Sequence, residues 1–156
     1  MPAPYRAQVE AGLTRLSAQA GLEMKHHDRL INSRPALQAA EFARAAGRYP
    51  LMHRALFEAY WLEGRDVSDL AVLREIGAGL GLEVEAMVTA IKANLYGDYL
   101  DARRAEAMDL MISGIPAHVI NDRYLVMGAQ PYEVFEQVME KVGTIRRAGP
   151  SGSRPR

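Results

Sequence analysis

Few side chains in this sequence could do chemistry, and cysteine is not among them, since the 156 residues contain none. Thiolate nucleophiles and disulfides are therefore unavailable to the chain as it stands. Of the four histidines, His26 and His27 precede Asp28 and have the residue types of a metal site. Neighbours on an extended segment point to opposite faces, however, and no second ligand pair lies at a suitable spacing, so a solvated loop is expected and no metal. His53 stands alone in a helical stretch. His118 has the side-chain type of an acid or base, but no neighbouring residue orients it, and a packed or surface histidine is the expected reading. Ser33, in Asn-Ser-Arg-Pro ahead of a helical pattern, reads as a helix cap rather than a nucleophile. Phe57, Tyr60 and Trp61 read as a core aromatic cluster, and Arg65-Asp66 as loop hydrogen-bonding groups. There is no glycine-rich phosphate loop: Gly77-Ala-Gly-Leu-Gly81 stands where a helix should stop.

The elements that would position these residues are mostly helices with legible ends. Val9, Leu13, Leu16 and Ala20 recur at helical spacing before Gly21. Ser33 and Pro35 start a helix running to Gly47. Leu51 to Leu62 places Ala55, Leu56, Ala59 and Tyr60 on one side and ends at Gly64. Ser68 is positioned to cap a helix whose stripe is Leu70, Leu73, Gly77 and Leu80, with Asp69 in its first turn. Val84, Met87, Val88, Ile91 and Leu95 form another stripe, and a further helix spans about Tyr99 to Met111. Glu23 to Ile31 is extended or irregular. The pattern changes after Gly114-Ile115-Pro116. Ala117 to Asn121 and Tyr124 to Gly128 are rich in β-branched and aromatic residues and flank the turn pair Asn121-Asp122, which predicts a tight antiparallel hairpin. Pro116 either pre-sets an extended conformation or adopts a cis bond. Pro131 then begins a helix with Val134, Phe135, Val138, Met139 and Val142 in one stripe able to lie on a sheet face.

Composition is that of one globular domain: 49% hydrophobic and 24% charged, enough to bury a core. Nineteen basic residues balance nineteen acidic ones, which argues against nucleic acid as a partner. The distribution is uneven, because the last fourteen residues carry Arg146, Arg147, Arg154 and Arg156 and no acid. Residues 144–156 are expected to form a disordered basic tail. No apolar run approaches the roughly 20 residues that span a bilayer, and Met1-Pro-Ala-Pro lacks the features of a secretory signal. The expectation is a cytoplasmic protein with no membrane partner.

Gly-Ile-Pro, strand, turn, strand, Gly-Ala-Gln-Pro and helix, in that order, resemble the C-terminal half of the thioredoxin fold in the DsbA family, closest to its FrnE-type branch. Arg29-Leu-Ile-Asn-Ser-Arg-Pro-Ala-Leu and Ala55-Leu-Phe-Glu-Ala-Tyr-Trp-Leu-Glu-Gly-Arg-Asp-Val-Ser-Asp resemble the helical insertion of those proteins. The resemblance covers about residues 5 to 143. It implies an α/β, thioredoxin-like fold of DsbA type, with residues 1–112 as the helical region and 113–143 as the ββα half. The strand and Cys-x-x-Cys helix with which the family begins are not in the sequence.

By resemblance the inherited activity is thiol–disulfide oxidoreduction without a bound cofactor. That exchange needs a thiolate attacking a disulfide, so the chain as it stands should be redox-inactive. The resemblance further implies that Pro116 is the cis-proline of the superfamily and that the backbone of Ile115 is where an extended peptide or glutathione-like ligand pairs. His118 lies near the position of the family's active site. A non-catalytic peptide-binding module is one alternative. A partial relative of the glutathione-dependent 2-hydroxychromene-2-carboxylate isomerases and kappa-type transferases, which use a serine, is another. A two-stranded hairpin is marginal alone and leaves an open strand edge, so a homodimer or a strand-supplying partner is expected.

Overall fold

The computed structural model describes residues 3–25 and 27–143, with side chains from residue 11 onward. Among these residues are seven helices and one two-stranded sheet: α1 (Ala3–Gln19), α2 (Arg34–Ala45), α3 (Tyr49–Trp61), α4 (Leu70–Gly79), α5 (Val84–Lys92), α6 (Gly97–Asp109), β1 (Ala117–Ile120), β2 (Tyr124–Met127) and α7 (Tyr132–Val142). The chain divides into two compact units, the first ending at Asp101 and the second beginning at Ala102. The expected basic tail at 144–156 lies outside the described residues.

The first unit is organised by α2, which packs against α3, α4 and α5. Its buried stripe is Ala36, Ala39, Ala40 and Ala43, at the i, i+3, i+4, i+7 spacing of one helix face. Side chains this small let neighbouring helices approach, and larger residues from those helices fill the space. Met52, Leu73 and Met87 are the largest fully buried side chains, each contributing about 1.5–3 kcal/mol by removal from water. Gly77 on α4 belongs to the same contact: a Cβ there would lie 2.8 Å from Cε of Met87. The glycine is a helix residue kept small by its neighbour.

Two expectations about helix starts are corrected. Ser33 occupies the N-cap position of α2 but makes no side-chain capping bond; Oδ1 of Asn32 accepts from the main-chain N–H of Arg34 instead, at 3.0 Å. Asp69, not Ser68, caps α4, its Oδ1 accepting from the N–H of Ala71 at 2.8 Å. In both places a residue with a carbonyl or carboxylate oxygen displaces the hydroxyl, and Ser68 turns to Asp66. The aromatic cluster is core only in part: Tyr60 packs against the core, and Phe57 does not. Phe57 is 54% exposed, because α3 buries Met52, Leu56 and Ala59 and turns His53 and Phe57 outward, stacked on each other.

Three polar side chains are buried in the first unit among the described residues: Ser17, Gln38 and Glu41. Gln38, 3% exposed, donates from Nε2 to Oδ1 of Asn94 at 2.5 Å and accepts from the N–H of Tyr96 at 3.2 Å. Arg34 completes the knot by gripping both carboxylate oxygens of Asp101 at 2.7 and 2.9 Å. Asn94 holds a positive φ of 53°, tolerable for asparagine, and the knot joins α2 to the turn between α5 and α6.

In the second unit the hairpin forms where the sequence places it. Asn121 and Asp122 have φ of 54° and 49°, the left-handed pair that matches strand twist in a tight hairpin. The N–H of Arg123 donates to the carbonyl of Ile120 at 3.2 Å. The strands are antiparallel, with Ala117 opposite Met127, His118 opposite Val126, Val119 opposite Leu125 and Ile120 opposite Tyr124. Pro131 stands at the N-cap of α7, and Gly143, at φ 78°, ends it.

Candidate functional site

The loop ahead of β1 carries the residues that the sequence singles out. The Ile115–Pro116 peptide bond is cis. Ile115 is 91% exposed, an unusual position for a large aliphatic side chain. The carbonyl of Pro116 accepts from the N–H of Gly128 at 2.8 Å, which closes the base of the hairpin.

That bond fixes which main-chain groups of β1 are engaged. Pro116 and Gly128 continue the strand register, so they form a hydrogen-bonded pair. In an antiparallel ladder such pairs alternate with non-bonded ones. His118 with Val126 and Ile120 with Tyr124 are therefore bonded pairs, and Ala117 and Val119 direct their N–H and C=O groups away from β2. The same alternation turns the carbonyl of Met127 outward on β2, where Nε2 of Gln130 donates to it at 2.8 Å. The outer edge of β2 is thus partly occupied. Among the described residues nothing bonds to the main chain of Ala117 or Val119, and β1 keeps an open edge.

The two faces of the hairpin differ. The His118 ring meets Phe135 of α7 edge to face, and Val126, its cross-strand neighbour, is buried. Helix α7 therefore meets the hairpin on the face of His118, Ile120, Tyr124 and Val126, where Val126 is buried and His118 stays exposed. The opposite face presents Val119, 42% exposed, and Leu125, 38% exposed, with Oγ of Ser113 donating to Sδ of Met127 beside them at 3.6 Å. An apolar face and an open strand edge thus lie next to the exposed Ile115.

A cis bond before a β-hairpin, followed by a helix laid on one face of it, is the arrangement described in the sequence. The match to the DSBA-like thioredoxin domain extends over residues 4–140. The chain belongs to that family. Its fold is the thioredoxin-like DsbA type, here mostly helical with a small two-stranded sheet. A crystal structure from Nitrosomonas europaea, described as "a putative protein disulfide isomerase", is 20% identical with a TM-score of 0.68, over 90% of this chain and 74% of its own length. At that identity the likeness shows the fold alone. No curated protein is detectably similar in sequence.

The remaining candidates of this DSBA-like chain are structural. His26 lies outside the described residues. His27 stacks on Tyr60, with centroids 4.1 Å apart, and its Nε2 lies 3.0 Å from the Tyr60 carbonyl, so it ties the irregular segment to α3. Among the described residues no group of three or more His, Asp or Glu could hold a metal. His53 lies between Tyr49 and Phe57. Arg65 pairs with Glu63 and Glu75, and Asp66 with Arg29 and Ser68; the Ser68 hydroxyl and N–H, with Arg29, hold the Asp66 carboxyl below its usual range. No described helix is long and apolar enough to cross a membrane. The open edge at Ala117 and Val119 was not readable from composition. Its signal is the strand register combined with the proline, which together decide the direction of each main-chain group.

Proposed function

We propose that this chain is a FrnE-type, non-catalytic member of the DSBA-like family that holds an extended polypeptide against the main chain beside Pro116. The lack of redox turnover follows from chemistry. Disulfide exchange requires a thiolate to attack a sulfur and a second thiolate to leave, and no serine, histidine or methionine completes that reversible two-electron cycle. The observation that carries the binding role is the open edge of β1 adjoining the exposed Ile115. Strand addition uses such edges: main-chain bonds supply affinity, and alternate side chains supply selectivity. Ile115 and Pro116 are the substrate-binding residues of this reading, and no catalytic residue, cofactor or metal is assigned.

The test pairs two assays on the purified chain. Insulin reduction in the presence of a thiol should stay at background, and a thiol-blocked insulin B chain should bind, with Ile115→Asp weakening that binding. Turnover above background, or binding unaffected by Ile115→Asp, would overturn the proposal.

A further inference from the structure

The open edge of β1 has a geometry that a second copy of the same strand can satisfy. Its groups are the N–H and C=O of Ala117 and of Val119. An antiparallel two-fold pairing centred on His118 sets Ala117 against the partner's Val119, and by symmetry Val119 against the partner's Ala117. Every outward main-chain group of the strand then finds a donor or acceptor. Residues opposed across an antiparallel pair share a face, and this register respects that, since Ala117 and Val119 lie on one face and His118 meets its symmetry mate on the other.

The neighbouring registers do less. Centring on Val119 would pair Ala117 with the partner's Asn121, which sits in the turn at φ 54°. Centring on Ala117 would require Ile115, outside the strand. A shift by one residue would put opposed side chains on opposite faces. The His118-centred register also accommodates Pro116: it falls opposite the partner's Ile120 as a non-bonded pair, so its missing N–H is not called on.

Charge permits the contact. Edge strands are commonly guarded by lysine or an inward-pointing charge, and Ala117-His118-Val119-Ile120 has no lysine, arginine, aspartate or glutamate. The chain is formally neutral overall, so two copies do not repel as net charges. The outer edge of β2, by contrast, is occupied at Met127 by Gln130, which favours β1 as the joining strand. We infer that β1 is a homotypic interface at which two chains join edge to edge about a two-fold axis at His118, forming a four-stranded sheet. The contact is short, so the dimer dissociates on dilution. It stands on the edge geometry alone and does not require the peptide-binding reading; since both use one edge, a bound peptide and a second copy exclude each other.

A chain without cysteine allows a clean test. In a non-bonded antiparallel pair the Cα atoms are about 4.5 Å apart, within the range a disulfide bridges. His118→Cys should therefore give a covalent dimer under mild oxidation at concentrations where the unsubstituted chain sediments as a dimer, whereas Val119→Cys, offset from its own symmetry mate, should not. Because His118→Cys also removes the ring on Phe135, sedimentation of two charge variants supplies an independent readout. Val119→Lys should be monomeric at those concentrations, and Leu125→Lys, on the same face but off the joining edge, should remain dimeric. A monomer at all concentrations for the unsubstituted chain, equal cross-linking of both cysteine variants, or equal disruption by both lysines would overturn the inference.

Discussion

The His118 ring stands edge-on to Phe135, with centroids 5.0 Å apart and planes at 85°. His118 is exposed overall, and its ring makes the aromatic contact between the hairpin and α7. Edge-to-face pairs add about 0.5–1.5 kcal/mol beyond burial. Phe135→Ala should cost about 1–2 kcal/mol, less than the loss for a fully buried phenylalanine because the ring is half-buried. A double-mutant cycle with His118→Ala, read by urea unfolding, should show coupling within that aromatic range, and additive losses would show that the ring contact adds nothing.

Gly77 and Gly79 lie two residues apart on α4 and should respond oppositely to alanine. A methyl at Gly77 would press on Met87 Cε at 2.8 Å, and Met87 is fully buried. Overpacking of about 1–3 kcal/mol should outweigh the roughly 1 kcal/mol gained in helix propensity. Nothing lies within 4 Å of a Cβ at Gly79, so there the propensity gain should appear, reduced by its place in the last turn. Thermal unfolding of the two variants checks the signs.

The knot around Gln38 predicts a larger loss. Gln38→Ala removes two bonds made by a buried side chain, one to Asn94 and one to the Tyr96 N–H, at roughly 0.5–1.5 kcal/mol each. Gly97→Ala should cost a similar amount, because its Cβ would fall 2.1 Å from Nδ2 of Asn94, which cannot swing away without breaking the bond to Gln38. Denaturant midpoints measure both.

Acid should weaken the first unit through Asp66. The Ser68 hydroxyl, then the Ser68 N–H, then Arg29 hold this carboxyl below its ordinary value of 3.8. A carboxylate whose pKa is lowered by folding contributes stability that is fully present above the unfolded value and is lost as pH falls through the folded one. The unfolding midpoint should therefore decline below about pH 4 for this group, and Asp66→Asn should flatten part of that decline.

Much of this architecture was legible in residue spacing. Asn121-Asp122 marked the hairpin because left-handed residues are demanded there, and Gly47, Gly64, Gly81 and Gly143, all at positive φ, marked helix ends. Capping was misread at Ser68 because Asp69 takes the Ala71 N–H, and at Ser33 because Pro35 offers no N–H while Asn32 takes that of Arg34. Phe57 was misplaced because α3 carries two rows at helical spacing, and only tertiary packing decides that Met52, Leu56 and Ala59 face inward. The Gln38–Asn94 knot joins residues distant in sequence and leaves no local pattern. Ile115, Pro116 and an open strand edge are candidates that the sequence already names, while the residues that form that edge, Ala117 and Val119, needed the register.

Amide chemical shifts during titration with a thiol-blocked insulin B chain test most directly whether an extended polypeptide pairs with β1. At protein concentrations low enough to keep the chain monomeric, the amides of Ala117 and Val119 should move and slow their hydrogen exchange, while those of His118 and Ile120, already committed to β2, should change least. Shifts concentrated elsewhere, or no shift at saturating peptide, would contradict it.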